Sequence, residues 1–434
     1  MAANDPRDLI DHQPMSRFQW GVVAVMVGLN ALDGFDVLSI SFASPGIAQA
    51  WGIDRAALGL VLSMELLGMA AGSLLLGGVA DRAGRRATIL LCLGIMTAGM
   101  LGAASASSVV ILSSWRLLTG IGIGGMLAAT NAAVAEASNA KRRSLAVVLM
   151  AGGYPVGTIV GGSISALLLA HHDWRAVFLF GAVCSLLFIP LVLWRVPESV
   201  AFLMHKRPPD ALPRINAILA RMGRPPVDAL PPAEPVQRKL PMAALFGPDL
   251  LRPTLALTIA YLAHIMTFYF ILKWIPKIVV DMGFPAPQAA GVLVWASVGG
   301  ATGSVLLGLM TGRIRLLPLT AFAMLLSTLL VILFGRGQAD LAALSTIAAL
   351  AGFATNAGVV GLYALIAQAF PTHVRATATG FVIGVGRGGS ALAPALAGFL
   401  FTAGYGLQTV AILMGLGSLI AALTLFALRQ KVAA

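Results

Sequence analysis

Asp33 and Asp36 flank Gly34 and Phe35 inside an apolar run from about Phe18 to Gly46. Two carboxylates there are costly, because an acidic side chain at the centre of a membrane helix carries a penalty of roughly 2.5–3.5 kcal/mol. Three residues apart on a helix, they project from nearly the same face. Such a pair suits binding of protons, cations or a substrate hydroxyl; the structural alternative is neutralisation by a basic partner. Gly34 leaves room for another backbone or a ligand. Glu65 lies deep in the next apolar run and reads either as a second proton site or as a structural partner. Arg116, about 10 Å into its segment, either snorkels to the interface or faces inward to meet an acid or a substrate anion. Arg387 sits between Gly386 and the pair Gly388–Gly389, about 17 Å in. A cation at that depth must meet an acid, a carbonyl dipole or an anionic substrate. Tyr261, His264, Tyr269, Asn356 and Tyr363 add polar groups to other apolar runs and are candidate cavity residues. There is no nucleophile triad, metal cluster or phosphate loop, so an enzyme and a bound cofactor are not expected.

The elements that position these residues are set by composition. The chain has 434 residues, is 58% hydrophobic and 11% charged, and has a mean hydropathy of +0.90. Apolar runs of about 20 residues read as membrane-spanning helices. They fall at about 18–46, 55–78, 87–106, 109–136, 145–170, 175–195, 252–278, 287–310, 316–336, 341–369, 376–402 and 405–428. An N-terminal tail (1–17), a six-helix bundle (18–198), a Pro- and Arg-rich middle loop (199–251), a second six-helix bundle (252–428) and a C-terminal tail (429–434) follow. In the middle loop, amphipathic pieces near Leu212–Met222 and Met242–Phe246 read as lying on the membrane surface.

The net charge of +12 is an orientation signal rather than a sign of nucleic-acid binding. Most Lys and Arg fall on the side of the N-terminus. Arg55, Arg175, Lys273, Lys277 and Arg336 fall on the other side, and Arg116 and Arg387 within segments. Both termini are therefore expected in the cytoplasm. The N-terminus is polar and makes no signal peptide. Cys92 and Cys184, inside apolar runs, read as buried small hydrophobes.

Between the second and third segments runs Gly77-Gly-Val-Ala-Asp81-Arg82-Ala-Gly84-Arg85-Arg86. A basic loop of this kind could be purely topogenic, which leaves Asp81 and the glycines unexplained. It could also be an ion-pair latch against helix ends. Gly77…Arg82 returns 231 positions later as Gly308…Arg313, with Gly312 in place of Asp81, and Glu136…Arg143 returns as Gln368…Arg375. A parallel repeat of six helices explains this. At the same offset His264 takes the place of Asp33.

The ten-residue loop resembles the signature of the major facilitator superfamily. What the resemblance implies is two pseudo-symmetric six-helix halves, a central cavity and alternating access. Arg116, Gly120, Gly122 and Gly124 are similar to the superfamily's fourth-helix motif, whose arginine is linked to proton coupling. Gly153-Tyr154-Pro155-Val156-Gly157 only partly resembles the fifth-helix motif of drug/proton antiporters, because Tyr154 stands where a glycine would precede the proline. Pro197-Glu198-Ser199 resembles the close of the superfamily's first half. Asp33-Gly-Phe-Asp36, the Asp81–Arg82 loop and Arg387 together resemble the aromatic acid:proton symporter family, importers of 4-hydroxybenzoate, protocatechuate, benzoate and similar acids.

The resemblance implies a monomeric inner-membrane carrier that couples a small organic acid to the proton gradient. Asp33, Asp36, Glu65 and Arg116 would carry the coupling. Arg387, with Asp33, Asp36, Tyr261, His264, Tyr269, Asn356 and Tyr363, would bind substrate. Gly77, Asp81, Arg82, Gly84, Arg85, Arg86, Glu136 and Arg143 would form the gating loop. An exporter of drugs or metabolites, an importer of a non-aromatic acid and a non-transporting membrane sensor are the alternatives.

Overall fold

The computed structural model describes residues 5–231, 242–337 and 339–432. Its helices are α1 (Pro6–His12), α2 (Arg17–Trp51), α3 (Arg55–Leu75), α4 (Gly77–Ala83), α5 (Arg85–Ala104), α6 (Val109–Ala137), α7 (Arg143–His171), α8 (Arg175–Arg195), α9 (Val200–Lys206), α10 (Ala211–Arg221), α11 (Leu251–Asp281), α12 (Ala286–Met310), α13 (Leu316–Gly335), α14 (Leu341–Ala369), α15 (Thr372–Thr402) and α16 (Leu407–Val432), with a 3-10 turn at Met242–Phe246. Among the described residues, twelve spans are long and apolar enough to cross a membrane, with α3 and α4 counting as one.

Caps set several boundaries. Ser16 and Gln19 bond each other's backbone in a capping box that opens α2. Asp54, Ser108 and Asp340 accept from the first turns of α3, α6 and α14. α2 runs past Pro45 to Trp51, five residues beyond the stop expected at Gly46, and ends at Gly52 with φ 59°. The Gly-rich loop is itself helical, as α4.

α2, α3 and α5–α8 pack on one another, as do α11–α16. Small residues let the backbones approach. A Cβ at Gly34 would run into the Tyr154 carbonyl of α7, and one at Gly120 or Gly124 into carbonyls of α3. On the side of the termini, α1, α9 and α10 form a small apolar cluster with the start of α2, centred on Ile10, Phe18, Leu203, Ile215 and Leu219. α10 covers most of the amphipathic stretch expected near Leu212–Met222. Residues 1–4, 232–241 and 433–434 of the tails and middle loop lie outside the described residues.

The two helix groups meet along α3 with α15, α7 with α12 and α2 with α11. The contacts concentrate on the side opposite the termini. There Arg55 pairs with Asp281 at 2.9 Å, Ala56 N donates to Thr402 Oγ1 at 2.9 Å, and Ala395 N donates to Ser63 Oγ at 3.1 Å. Gly162 faces Phe42 and Val294 in the same region. Among the described residues, the hydrogen bonds and ion pairs between the two groups lie on the side opposite the termini or at mid-depth.

Candidate functional site

An ion cluster lies where α2, α3, α6 and α11 converge. Arg116 of α6 is fully buried and pairs with Glu65 of α3. Its Nη2 donates to the Asp36 carbonyl at 2.9 Å, and its guanidinium stands 5.4 Å from the Phe178 ring centre. This excludes snorkelling for Arg116 and gives Glu65 a structural partner. Lys273 of α11 is also fully buried, reaching Glu65 Oε2 at 3.2 Å and donating to the Val37 carbonyl. The charge count of the sequence placed Lys273 at the far membrane surface, and its burial corrects that placement. Its long apolar stem lets the ammonium turn inward to an acid and a carbonyl, which outweighs the pull of the interface.

Asp33 and Asp36 are 2% and 0% exposed, and neither carboxylate has a hydrogen-bond partner among the described residues. Asp36 lies within electrostatic range of Arg116 and Glu65. Asp33 lies within that range of Asp36 and of Tyr154. The acid pair therefore opens onto the cluster, and no direct basic partner neutralises it.

Beside the cluster, toward the terminal side, aromatic hydroxyls gather around Arg387. Tyr261 and Tyr363 stand with hydroxyls 3.1 Å apart and ring centres 5.7 Å apart. Tyr261 packs on α15 at Gly386, next to Arg387. Tyr269 is within electrostatic range of Tyr363, Arg387 and Glu65, and Tyr154 is within range of Tyr269, Tyr363 and Glu65. Arg387 Nη1 donates to the Met69 carbonyl across the group boundary at 3.0 Å. Its Nε and Nη2 have no protein partner among the described residues, and a Cβ on Gly384, one turn earlier, would meet nothing within 4 Å. A half-buried guanidinium with one anchored and one free edge, walled by tyrosines, is chemically fit to receive a carboxylate joined to a ring.

Two expected cavity residues serve elsewhere. His264 is fully buried, with one ring nitrogen 2.8 Å from Ser418 Oγ and the other 2.8 Å from the Thr355 carbonyl. Both nitrogens are occupied in joining α11 to α14 and α16, so the histidine presents nothing to a ligand. Asn356 donates to the Gly300 carbonyl and Ser304 Oγ at 2.8 and 2.9 Å, joining α14 to α12.

The loop residues form a separate charged site on the terminal side. Arg85 pairs with Glu136 at 2.9 Å and with Asp81 at 3.4 Å. Gly84, with φ 101°, lets α5 begin against Glu198, whose Oε1 accepts from Arg85 N at 2.8 Å. A Cβ on Gly84 would meet that carboxylate. Arg86 donates to the Leu193 carbonyl at 2.6 Å, and Arg143 pairs with Asp11 and donates to the Ala135 carbonyl at 3.0 Å. Asp81 and Arg82 are exposed, and Gly77 opens α4. Sequence reasoning singled out neither Tyr154, Lys273 nor Glu198 as a site residue.

The model of the Major Facilitator Superfamily matches residues 26–344. The chain belongs to that superfamily. Major facilitator relatives include the gallate transporter of Pseudomonas putida, 32% identical over 98% of this chain and 94% of the relative. The 4-hydroxybenzoate transporter PcaK of Pseudomonas aeruginosa is 29% identical over 94% and 91%. The 3-(3-hydroxy-phenyl)propionate transporter of Escherichia coli is 30% identical over 92% and 91%. Among solved structures, the xylose transporter XylE from E. coli in its inward open conformation superposes with a TM-score of 0.72 at 18% identity, covering 94% of this chain and 96% of XylE. This major facilitator protein is thus a multi-pass inner-membrane transporter and not an enzyme.

Proposed function

We propose that the protein imports a hydroxylated aromatic carboxylate together with protons, by alternating access between two six-helix halves, with both termini in the cytoplasm. The observation that carries the reading is Arg387, whose Nε and Nη2 have no protein partner among the described residues and which lies near Tyr261 and Tyr269. The carboxylate meets Arg387, and the ring lies among Tyr154, Tyr261, Tyr269 and Tyr363. The ring hydroxyls of gallate and 4-hydroxybenzoate, the substrates in the relatives' names, would find hydroxyl partners there.

Proton coupling is supported by charge balance. Among the described residues, buried Glu65 pairs with buried Arg116 and Lys273, while buried Asp33 and Asp36 have no bonded basic partner, so three carboxylates share two cations. Charges removed from water must be compensated, and one proton on the aspartate pair balances the set. The bonds that join the groups on the side opposite the termini then support a state closed outward. Arg387 and the four tyrosines all come from one chain, which supports a monomeric carrier.

Counterflow in proteoliposomes against a panel of radiolabelled acids tests the substrate class. Gallate, 4-hydroxybenzoate and benzoate should exchange, and aliphatic acids of similar size should not. Exchange of aliphatic acids alone would reject the aromatic assignment.

A further inference from the structure

Lys273 carries the buried charge that crosses between the helix groups. Its ammonium belongs to α11, and its two partners, Val37 and Glu65, belong to α2 and α3 on the other side of the boundary. Among the described residues, the other ion pair across this boundary, Arg55–Asp281, is part-exposed at the outer lip, and the crossing bond of Arg387 goes to a carbonyl. Glu65 has a second cation in Arg116, which moves with it. Lys273 has no reserve. When the side opposite the termini opens, α11 must withdraw from α2 and α3, and Glu65 keeps Arg116 while Lys273 is parted from both acceptors. An ammonium parted from its counterion in the opened cleft offers its donors to another anion, so that state has a place for one. The place is specific: Lys273 is four residues beyond Tyr269, hence on the same face of α11, about 6 Å further along the axis. A ring against Tyr269 would put its carboxylate at the ammonium.

Resting on the alternating-access reading, we propose that Lys273 binds the substrate carboxylate in the state open to the side opposite the termini. It exchanges Glu65 for the carboxylate as the groups part. It returns to Glu65 as they close, which releases the carboxylate toward Arg387.

The test is counterflow of radiolabelled 4-hydroxybenzoate by the full-length carrier without a proton gradient, in vesicles of each orientation. Lys273→Gln should raise the half-saturation concentration for entry from the side opposite the termini by about tenfold or more, as expected when one charge-assisted hydrogen bond is removed. Entry from the terminal side, where Lys273 is held by Glu65, should stay within about twofold, below the energy of such a bond. Glu65→Gln removes the competitor and should lower the half-saturation for entry from the opposite side. A merely structural ion pair would shift both variants in the same direction, and that result overturns the proposal. So does an equal change on both sides. If Lys273→Gln yields no folded carrier, Lys273→Arg keeps the charge and must keep side-selective affinity; a folded Lys273→Arg carrier equally weakened from both sides overturns the proposal. A wild-type protein that exchanges no aromatic acid from either side overturns the underlying reading instead, and is recognised because the unmodified carrier fails.

Discussion

Replacing Arg387 with lysine separates charge from geometry. In the structure Nη1 is committed to the Met69 carbonyl at 3.0 Å, while Nε and Nη2 have no protein partner among the described residues. A carboxylate can then take two parallel N–H bonds. Hydrogen bonds to charged groups are worth about 1.5–3 kcal/mol each, so each bond that the neutral amide cannot make should favour the acid roughly 10- to 150-fold. Lysine keeps the charge but lacks the planar fork, and it cannot hold the Met69 carbonyl and a carboxylate in one plane. Binding of 4-hydroxybenzoate and 4-hydroxybenzamide to purified protein, by calorimetry or scintillation proximity, gives the ratio directly. Wild type should prefer the acid at least tenfold, and Arg387→Lys should lose most of this preference while eluting as a folded monodisperse protein. An unchanged ratio in the folded variant would refute carboxylate recognition by Arg387.

Three further outcomes follow from the same geometry. Asp33→Asn and Asp36→Asn should abolish gradient-driven accumulation while counterflow persists, because the amides mimic the protonated acids; accumulation at wild-type levels in both would exclude the pair from coupling. Arg116→Ala removes the cation of a buried pair and a donor to the Asp36 carbonyl, a loss of about 3–5 kcal/mol for buried pairs, with Lys273 as residual partner placing it at the lower end; a thermal midpoint in detergent equal to wild type would contradict that. Asp81→Asn removes only an exposed pair at 3.4 Å, worth under about 1 kcal/mol, so stability and substrate affinity should hold while turnover slows, and weakened affinity at normal turnover would count against a latch.

The apolar runs made the spanning helices legible, because a bilayer demands long uninterrupted helices, and the small residues of α6 announced its close approach to α3. The depth of Arg116 and Arg387 was legible for the same reason. Their partners were not, since sequence spacing does not say which carboxylate or carbonyl lies across a helix boundary. Lys273 was misplaced because it sits near a helix end beside Lys277. A local signal existed: Asp281 lies four residues after Lys277 and pairs with it, which leaves Lys273 without a neighbour of its own and free to turn inward. His264 misled because a polar residue in an apolar run marks buried hydrogen bonding as readily as a ligand site, and Ser418 and Thr355 are distant in sequence. Tyr154 was seen only as a departure from a glycine motif, although that departure is what supplies an aromatic wall to the cleft.

The most direct measurement is substrate-driven proton movement in proteoliposomes loaded with a pH-sensitive dye. With no imposed gradient, an inward concentration step of 4-hydroxybenzoate should acidify the lumen. The acidification should vanish in Asp36→Asn while labelled 4-hydroxybenzoate still exchanges. Uptake of the acid without lumenal acidification, or acidification unchanged in Asp36→Asn, would contradict proton-coupled import through the buried acid pair.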